Sequence, residues 1–357
     1  MPRIGDMTLT ANSGDIVLTN GTQLQSSGET TLDAQAASIE ANNGSSITAA
    51  TDLTLKASND IGLNSGVSLQ ASTGDLAMAA SEGDIDLRVA RVSAGGELTG
   101  TAGQGITLTN GSHAQAGIGM TLDAQGADLT LNNSSTAIAA IDTALKAKGS
   151  VLLDNGAVAE AHGGDLSISA TDGDITLSNA AQATAGGTLA ADAGDSITLT
   201  DALAVSGTHD VGEPAPAQED SGMTLTADRG DITLTRSQTQ SGGDLTGTAG
   251  QNIGLTDANA TAVGAAVLTA GTDEHNGTDA DLTLDNSHVA ANGGYAALTA
   301  ADSISLQRAS TVVAHDDLSV DAQTGDVTLI ENSSLAAQNG SMDLDAGSRV
   351  GVTDSIL

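Results

Sequence analysis

Two short acidic clusters contain the residues of this sequence best suited to hold a metal ion. His209 lies beside Asp210, and Asp273, Glu274 and His275 follow one another. Imidazole nitrogens and carboxylate oxygens are common ligands of zinc and calcium. The spacing within these clusters matches no known ligand pattern, and the absence of cysteine excludes thiolate sites. We therefore interpret both clusters as solvated loops and predict neither a metal nor another cofactor.

Carboxylate pairs are the other candidates for chemistry, because glycoside cleavage uses two acids a short distance apart. With 45 acidic residues, some pair will lie at a suitable distance by chance. Sugar-cleaving sites also use basic groups or aromatic platforms, and this chain has ten Lys and Arg, no Trp and one aromatic residue, Tyr295. Arg88 and Arg91 form a close basic pair whose expected role is to offset nearby acid. We predict no catalytic residue and no enzyme activity.

A row of aspartates recurs at intervals of about 22 residues, each directly before an apolar residue. The row reads Asp15, Ser38, Asp60, Asp84, Gly105, Asp128, Ser150, Asp174, Ser196, Asp231, Asn252, Asp281, Ser303, Asp326 and Arg349. Asp mostly alternates with an uncharged residue, which roughly doubles the distance between stacked carboxylates and weakens their repulsion. This alternation makes a bound cation unnecessary.

A second polar row follows the apolar position by four residues. It reads Asn20, Asn43, Asn110, Asn133, Asn155, Asn179, Asp201, Asp257 and Asn286. Asn tolerates left-handed backbone in turns, and stacked amides can bond one another in a ladder. We predict a structural role for this row. We also interpret the Asn-Gly-Thr and Asn-Gly-Ser sequons at Asn20, Asn43, Asn110, Asn276 and Asn339 as turns.

The element that must position these rows is a repeat, and one apolar position can be followed through the whole chain. It reads Ile16, Ile39, Ile61, Ile85, Ile106, Leu129, Val151, Ile175, Ile197, Ile232, Ile253, Leu282, Ile304, Val327 and Val350. Successive members are 21 to 24 residues apart, except for two longer intervals of 35 and 29. The two long intervals mark insertions near residues 206–221 and 271–280.

Two further apolar series share this period. The second reads Met7, Thr30, Leu53, Leu76, Leu98, Met120, Ala144, Leu166, Leu189, Met223, Leu245, Val267, Ala297, Leu318 and Met342. The third and weaker one reads Leu24, Ile47, Leu69, Val92, Ala114, Ile138, Val158, Ala183 and Val205. Three series in each of fifteen periods predict about fifteen coils with three short strands each. The first insertion then follows the third strand of a coil, and the second lies between a first and a second strand.

Strands are favoured over helices because apolar residues alternate within each segment, as in Ile175-Thr-Leu177. The segments are three to five residues long and end at Gly, Asn, Asp or Ser, whereas a helix needs about ten residues or more to be stable. A coil of about 22 residues is too short for a βαβ unit. It suits one turn of a parallel β-helix, whose strands stack about 4.8 Å apart.

The composition excludes several classes of partner. The net charge of −35 rules against nucleic acid, which requires clustered Lys and Arg, and against an anionic membrane surface. Residues 1–10 contain no apolar h-region, so we expect no signal peptide, and no stretch approaches the 18 apolar residues of a membrane span. The repeat is already in register at Met7 and still continues at Val352. We expect residues 1–357 to be a single β-helix array, cut from a longer chain.

Several repeated phrases resemble the haemagglutinin repeats of filamentous-haemagglutinin-type exoproteins. They are GDITL-x-N, GG-x-L-x-x-x-A and TLDAQ, and residues 95–110 recur almost unchanged at 242–257. The resemblance covers nearly the whole chain apart from the two insertions. It implies an all-β, right-handed parallel β-helix, export by a two-partner secretion system through an outer-membrane transporter, and a place on the bacterial outer surface. It implies no catalytic residues in this region.

The expected function is a structural and adhesive rod segment that attaches to a receptor or glycan on a host or neighbouring cell. The alternative is the receptor-binding stalk of a contact-dependent growth inhibition exoprotein, in which the two insertions touch an outer-membrane partner. A polysaccharide lyase or hydrolase is a third and weaker hypothesis, since parallel β-helices also support such enzymes.

Overall fold

The computed structural model describes residues 5–207, 221–273 and 279–357. The described residues form a right-handed parallel β-helix. The repeat predicted the parallel β-helix, and the family resemblance implied its handedness. Two compact units make up the chain, Met1–Thr171 and Asp172–Leu357. No helix among the described residues is long and apolar enough to cross a membrane.

The described part of the first unit, residues 5–171, contains 22 strands of three to five residues. They are β1 (Met7–Ala11), β2 (Ile16–Leu18), β3 (Gln23–Gln25), β4 (Thr30–Ala34), β5 (Ile39–Ala41), β6 (Ser46–Ala49), β7 (Leu53–Ala57), β8 (Ile61–Asn64), β9 (Ser68–Ala71), β10 (Leu76–Ala80), β11 (Ile85–Arg88), β12 (Arg91–Ala94), β13 (Leu98–Ala102), β14 (Ile106–Thr109), β15 (His113–Ala116), β16 (Met120–Ala124), β17 (Leu129–Leu131), β18 (Thr136–Ala139), β19 (Thr143–Ala147), β20 (Val151–Leu153), β21 (Val158–Ala161) and β22 (Leu166–Ala170).

The described part of the second unit contains strands of the same lengths. They are β23 (Ile175–Ser178), β24 (Gln182–Ala185), β25 (Leu189–Ala193), β26 (Ile197–Thr200), β27 (Leu203–Ser206), β28 (Met223–Ala227), β29 (Ile232–Thr235), β30 (Gln238–Ser241), β31 (Leu245–Ala249), β32 (Ile253–Thr256), β33 (Asn259–Ala262), β34 (Ala266–Ala270), β35 (Leu282–Asp285), β36 (His288–Ala291), β37 (Ala296–Ala300), β38 (Ile304–Gln307), β39 (Thr311–Ala314), β40 (Leu318–Ala322), β41 (Val327–Leu329), β42 (Ser334–Ala337), β43 (Met342–Ala346) and β44 (Val350–Val352).

Every third strand joins the same parallel sheet, so each unit has three sheets. We call them sheet A (the series of β1), sheet B (the series of β2) and sheet C (the series of β3). Counted over both units together, sheet C has fourteen strands and sheets A and B have fifteen each. The described strands therefore make about fourteen complete turns. Each turn is one coil, and a strand pairs with the equivalent strand of the next coil, as β2 pairs with β5.

The first apolar series forms a continuous inward ladder in sheet B of each unit. Ile61 pairs with Ile85 and Ile85 with Ile106, while Ile175 pairs with Ile197. Ile61, Ile85 and Ile106 are fully buried. Stacked aliphatic residues of similar size fill a narrow interior without gaps, and burial of their side chains stabilises the fold.

The other two series are wrong at six positions. In sheet A the inward residues are Thr143, Ala266 and Ala296, while Ala144, Val267 and Ala297 lie on the outer row. In sheet C the inward residues are Ala137, Ala159 and Ala204, while Ile138, Val158 and Val205 belong to the outer row. At five of the six positions the outward residue is the more apolar of the two neighbours, and Ala297 has the same type as Ala296. Alternate residues of a strand face opposite sides of the sheet, so an error of one residue reverses the predicted facing.

Candidate functional site

The aspartate row lies in the turns that lead into sheet B, where each acid holds the next coil. The Asp60 carboxylate accepts the Asp84 backbone N–H at 2.9 Å, and Asp84 accepts the Gly105 N–H at 2.7 Å. Ser hydroxyls do the same, since Ser196 Oγ accepts the Asp231 N–H at 3.2 Å. In every coil except those of Gly105 and Arg349 this position has a side-chain oxygen, which Asp, Ser and Asn all provide. This is a stronger reason for the mixed row than charge repulsion alone.

Sequence reasoning missed a second row of acceptors, which precedes the strands of sheet A. Glu29 N–H donates to Asp6 Oδ1 at 3.0 Å, Asp75 N–H to Asp52 at 2.9 Å and Glu97 N–H to Asp75 at 2.8 Å. Here acids occupy consecutive coils, so alternation is not a general rule of this fold. An acid directly before members of the second apolar series was the available signal.

Asp317 belongs to this second row and has a perturbed acidity. Its Oδ1 accepts the Ser341 backbone N–H at 2.8 Å and the Ser341 hydroxyl at 2.9 Å. These hydrogen bonds lower the pKa of Asp317, because they favour the charged carboxylate. The charge of this acid is thus used to hold the last coil.

The asparagine row has the left-handed backbone that its sequence predicted. The residue four places after each member of the first series has a φ between 48° and 59°, whatever its type. Asn133 Nδ2 donates to Asn110 Oδ1 at 3.3 Å, and Asn286 Nδ2 donates to Asp257 Oδ1 at 2.6 Å. The row is structural, and the Asn–Asn pair matches the predicted amide ladder.

Ion pairs replace amides at two left-handed positions of the second unit. Arg236, with φ 49°, donates from Nε and Nη2 to the two carboxylate oxygens of Asp201, each at 2.7 Å. Arg308, with φ 50°, pairs with both oxygens of Asp285. The hydrogen bonds from Arg236 hold the pKa of Asp201 below its ordinary value. Arginine is an unusual residue for this backbone conformation, and its pairing across coils accounts for its presence.

A buried serine ladder inside the turns before sheet C was also missed. Ser112 is fully buried, and its hydroxyl donates to Thr109 O at 2.8 Å and accepts the Ala90 N–H at 3.1 Å. Ser45, also fully buried, donates to Asn42 O at 2.7 Å. These serines are the third residues of the sequons at Asn43 and Asn110. Both sequons are therefore turns whose serine satisfies buried backbone, as predicted.

The two insertions leave the coils at the predicted corners. The first lies between β27 of sheet C and β28 of sheet A, and the second between β34 of sheet A and β35 of sheet B. The Ser206 hydroxyl donates to Ser221 O at 2.8 Å, which holds the ends of the first insertion together. His209 and Asp210, and also Glu274 and His275, lie outside the described residues.

The remaining candidate residues, the basic pair Arg88 and Arg91 and the nearby acids, do not come together in a common site. Arg88 ends β11 and Arg91 begins β12. Asp86 lies on the outer face of sheet B, yet its pKa is raised because the surrounding sheet partly shields it from water and because Asp84 and Asp60 repel its charge. Arg88 opposes this shift, in the predicted direction. Within the described ranges, no three His, Asp or Glu side chains are arranged to hold a metal ion.

Two isoleucines form an exposed apolar pair at the corner between sheets C and A of the first unit. Ile118 and Ile141 occupy equivalent positions of adjacent coils, and the Ile141 N–H donates to Ile118 O at 2.8 Å. Their side chains are 44% and 47% exposed. Gly96 and Gly164 occupy the same position in the flanking coils, so neither flanking residue has a side chain to cover the pair. The corner therefore offers an apolar contact surface.

A second exposed apolar pair, Val263 and Tyr295, lies at the same type of corner in the second unit. Val263 is 49% exposed and Tyr295 51% exposed. Tyr295 occupies the place that an acceptor such as Asp244 or Asp317 takes in other coils, and its carbonyl accepts the Ala266 N–H at 3.0 Å. This coil therefore has an exposed aromatic side chain where other coils have an acceptor that holds the next coil.

Taken together, the acids, amides and serines are used to join coils, while the two apolar corner pairs have no such structural task. Comparisons with models of protein families, with curated proteins and with solved structures found no match.

Proposed function

We propose that this chain is a structural and adhesive segment of a secreted bacterial surface exoprotein of the filamentous-haemagglutinin type. Its role would be to attach the cell to a host or neighbouring cell through a surface receptor or glycan. The proposal includes secretion through an outer-membrane transporter, and it assigns no catalytic reaction to the chain.

One observation carries this proposal: the carboxylate, amide and hydroxyl side chains that could have taken part in catalysis or ligand binding form hydrogen bonds between coils. Carboxylates such as Asp60 and Asp84 accept backbone N–H groups of the next coil. Among the exposed apolar residues that the structure describes, Ile118 with Ile141 and Val263 with Tyr295 lie on adjacent coils at the corners between sheets C and A. Contiguous exposed apolar patches mark contact sites, and each of these corners places two exposed apolar residues on adjacent coils.

The test is adhesion of cells to the immobilised full chain. Ile118→Ser with Ile141→Ser removes one corner pair, and Val263→Ser with Tyr295→Ser removes the other. Val17→Ser is the matched control, because Val17 is 51% exposed but lies on the face of sheet B. We expect at least one double variant to lose adhesion while the control retains it. Equal adhesion by all variants, or cleavage of a polysaccharide by the chain, would overturn the proposal.

A pure spacer can be separated from an adhesive segment by removing one coil in register. Deleting residues 85–105 places Ile106 where Ile85 pairs with Ile61, so the ladder stays continuous. Adhesion that survives this deletion but falls with the corner variants identifies the corners as the contact. Adhesion that depends on neither points to a spacer role.

The alternative, a receptor-binding stalk for contact-dependent growth inhibition, is favoured by the position of the two insertions. Both fall in the second unit, and loops that leave a regular scaffold often bind partners. Deleting residues 208–220 joins Gly207 to Ser221, whose backbone is already held by Ser206. Loss of binding to target bacteria with unchanged far-UV circular dichroism would support this alternative, and unchanged binding would reject it.

A further inference from the structure

Asn-Gly pairs are the chemically weakest peptide positions in this chain, and the fold treats them in two ways. In deamidation, the backbone nitrogen of the following residue attacks the Asn side-chain carbon and expels ammonia. Water then opens the resulting succinimide to aspartate or isoaspartate. Glycine hinders this attack least because it has no side chain. The attacking nitrogen must first lose its proton, so a hydrogen bond from that N–H slows the reaction.

The left-handed row has four described Asn-Gly pairs, and in three of them the glycine N–H donates a hydrogen bond to the next coil, which we call closed. In the fourth, Asn155 Nδ2 donates to Asp154 Oδ2 at 2.8 Å. In the three closed pairs, the Gly21 N–H donates to Asn43 O at 3.0 Å, the Gly44 N–H to Ser65 O at 2.9 Å and the Gly111 N–H to Asn133 O at 2.9 Å. Each attacking nitrogen is therefore tied to the next coil. The nitrogen can react only when the turn opens, in the same way that hydrogen bonding protects an amide from exchange.

Two other Asn-Gly pairs, at the corners between sheets C and A, are open. Neither the Gly293 N–H nor the Gly340 N–H donates a hydrogen bond to any residue that the structure describes. Asn292 is exposed, and within the described ranges its side chain makes no hydrogen bond. The amide of Asn339 is restrained, since Nδ2 lies 3.2 Å from Nε2 of His315.

We propose that Asn292 and Asn339 are sites of spontaneous deamidation in the folded protein, with water as the only co-reactant. Asn292 reacts faster because its amide is free, and Asn339 reacts more slowly because His315 holds its amide. Asn20, Asn43 and Asn110 remain amides as long as their coils stay folded.

Deamidation at Asn292 would change the corner that contains Val263 and Tyr295. It adds a negative charge three residues before Tyr295, and isoaspartate also lengthens the main chain by one methylene. If this corner is the adhesive contact, the modification weakens adhesion as the protein ages. This consequence rests on the proposed function, whereas the deamidation itself does not.

Peptide mapping by mass spectrometry tests the proposal on the full chain kept at mildly alkaline pH. In the folded chain we expect deamidation at Asn292 and Asn339 to be about tenfold or more faster than at Asn20, Asn43 and Asn110. In denaturant the five rates should converge, because the hydrogen bonds are then lost. Equal rates in the folded chain, or stable amides at Asn292 and Asn339, would overturn the proposal whatever the chain binds.

Substitution of His315 tests the predicted order of the two open sites. His315→Ala frees the Asn339 amide, so the rate at Asn339 should rise toward that at Asn292, and the rate at Asn292 should not change. A slower reaction at Asn339 in this variant would refute the role of His315 as a restraint. Far-UV circular dichroism verifies that the variant remains folded.

Discussion

Replacing Gly247 by alanine is expected to stabilise the second unit, although the interior of the β-helix is tightly packed. Gly247 faces inward in β31, between Leu225 and Leu268 of the adjacent coils. A Cβ there would lie 2.8 Å from Leu268 Cδ2, the far end of a flexible side chain. Gly247 and Leu268 also line an apolar cavity of about 10 Å³. Leu268 can therefore move into the cavity and leave room for the new methyl group.

The magnitude follows from two contributions. Burying one methyl group contributes about 0.8 kcal/mol. Restricting the unfolded chain by changing glycine to alanine contributes about 0.4–1 kcal/mol. The expected gain for Gly247→Ala is thus about 1–2 kcal/mol. Gly254→Ala is the matched control, because its Cβ points into open space on the outer row of the same unit. It should give only the second contribution.

Urea denaturation followed by far-UV circular dichroism measures the effect as a shift in midpoint at constant slope. Hydrogen exchange of the β31 amides locates it. Gly247→Val tests the limit of the space, and overpacking should destabilise by about 1–3 kcal/mol. A destabilised Gly247→Ala, or one no more stable than Gly254→Ala, would refute the reasoning that Leu268 moves into the cavity.

Four further predictions concern the core, the serine ladder, a charged turn and a charged strand residue. Ile85→Ala should destabilise by about 2–5 kcal/mol, because Ile85 is fully buried, whereas exposed Val17→Ala should change the urea midpoint little. Ser112→Ala should destabilise by about 1–3 kcal/mol, since it leaves the Ala90 N–H without its acceptor, and hydrogen exchange at Ala90 should accelerate. Asp201→Asn should destabilise at neutral pH and lose its effect well below the ordinary pKa of 3.8, because the folded-state pKa of Asp201 is lowered. Asp86→Asn should stabilise the fold at neutral pH, because the pKa of Asp86 is raised and its charge therefore opposes folding. This stabilisation should disappear as the pH falls through the raised pKa of Asp86. Urea denaturation of both variants at several pH values checks the two signs.

The fold could be predicted because one ladder is unambiguous. Every member of the first series lies inward in sheet B, and in every coil but the last an Asp, Ser, Asn or Gly directly before it marks the start of the strand. The period then fixes the number of strands in each coil. This is a case in which local pattern and global topology agree at each repeat.

At five of the six positions, the errors in the other two series occur where a polar or small residue faces inward and its more apolar neighbour faces outward. Thr143 lies inward and 1% exposed because its hydroxyl donates to Glu160 O at 2.7 Å, while apolar Ala144 lies outward. In β18 the inward residues are Ala137 and Ala139, and the larger Ile138 faces outward. The alanine that ends most strands of sheets A and C was the better guide to parity.

The hydrogen-bonded rows were harder to predict, because side-chain identity does not reveal what an oxygen accepts. Asp, Ser and Asn look chemically different, yet at the turn before sheet B each accepts a backbone N–H of the next coil. The row was visible from the sequence, but its purpose required the position of the neighbouring coil. Charge repulsion therefore offered a plausible explanation for a pattern whose main cause is backbone hydrogen bonding.

The same reasoning indicates where function should be sought in a repeat protein. An Asp whose carboxylate accepts an N–H of the next coil already has a structural role, so its presence gives no information about a partner. Tyr295 stands where other coils place such an acceptor, and it contributes an exposed aromatic ring instead. Ile118 and Ile141 stand where neighbouring coils have glycine. The fold gains no coil-joining hydrogen bond from these side chains, so they are the residues at which we propose contact with another molecule, and their substitution is the most direct test of that proposal.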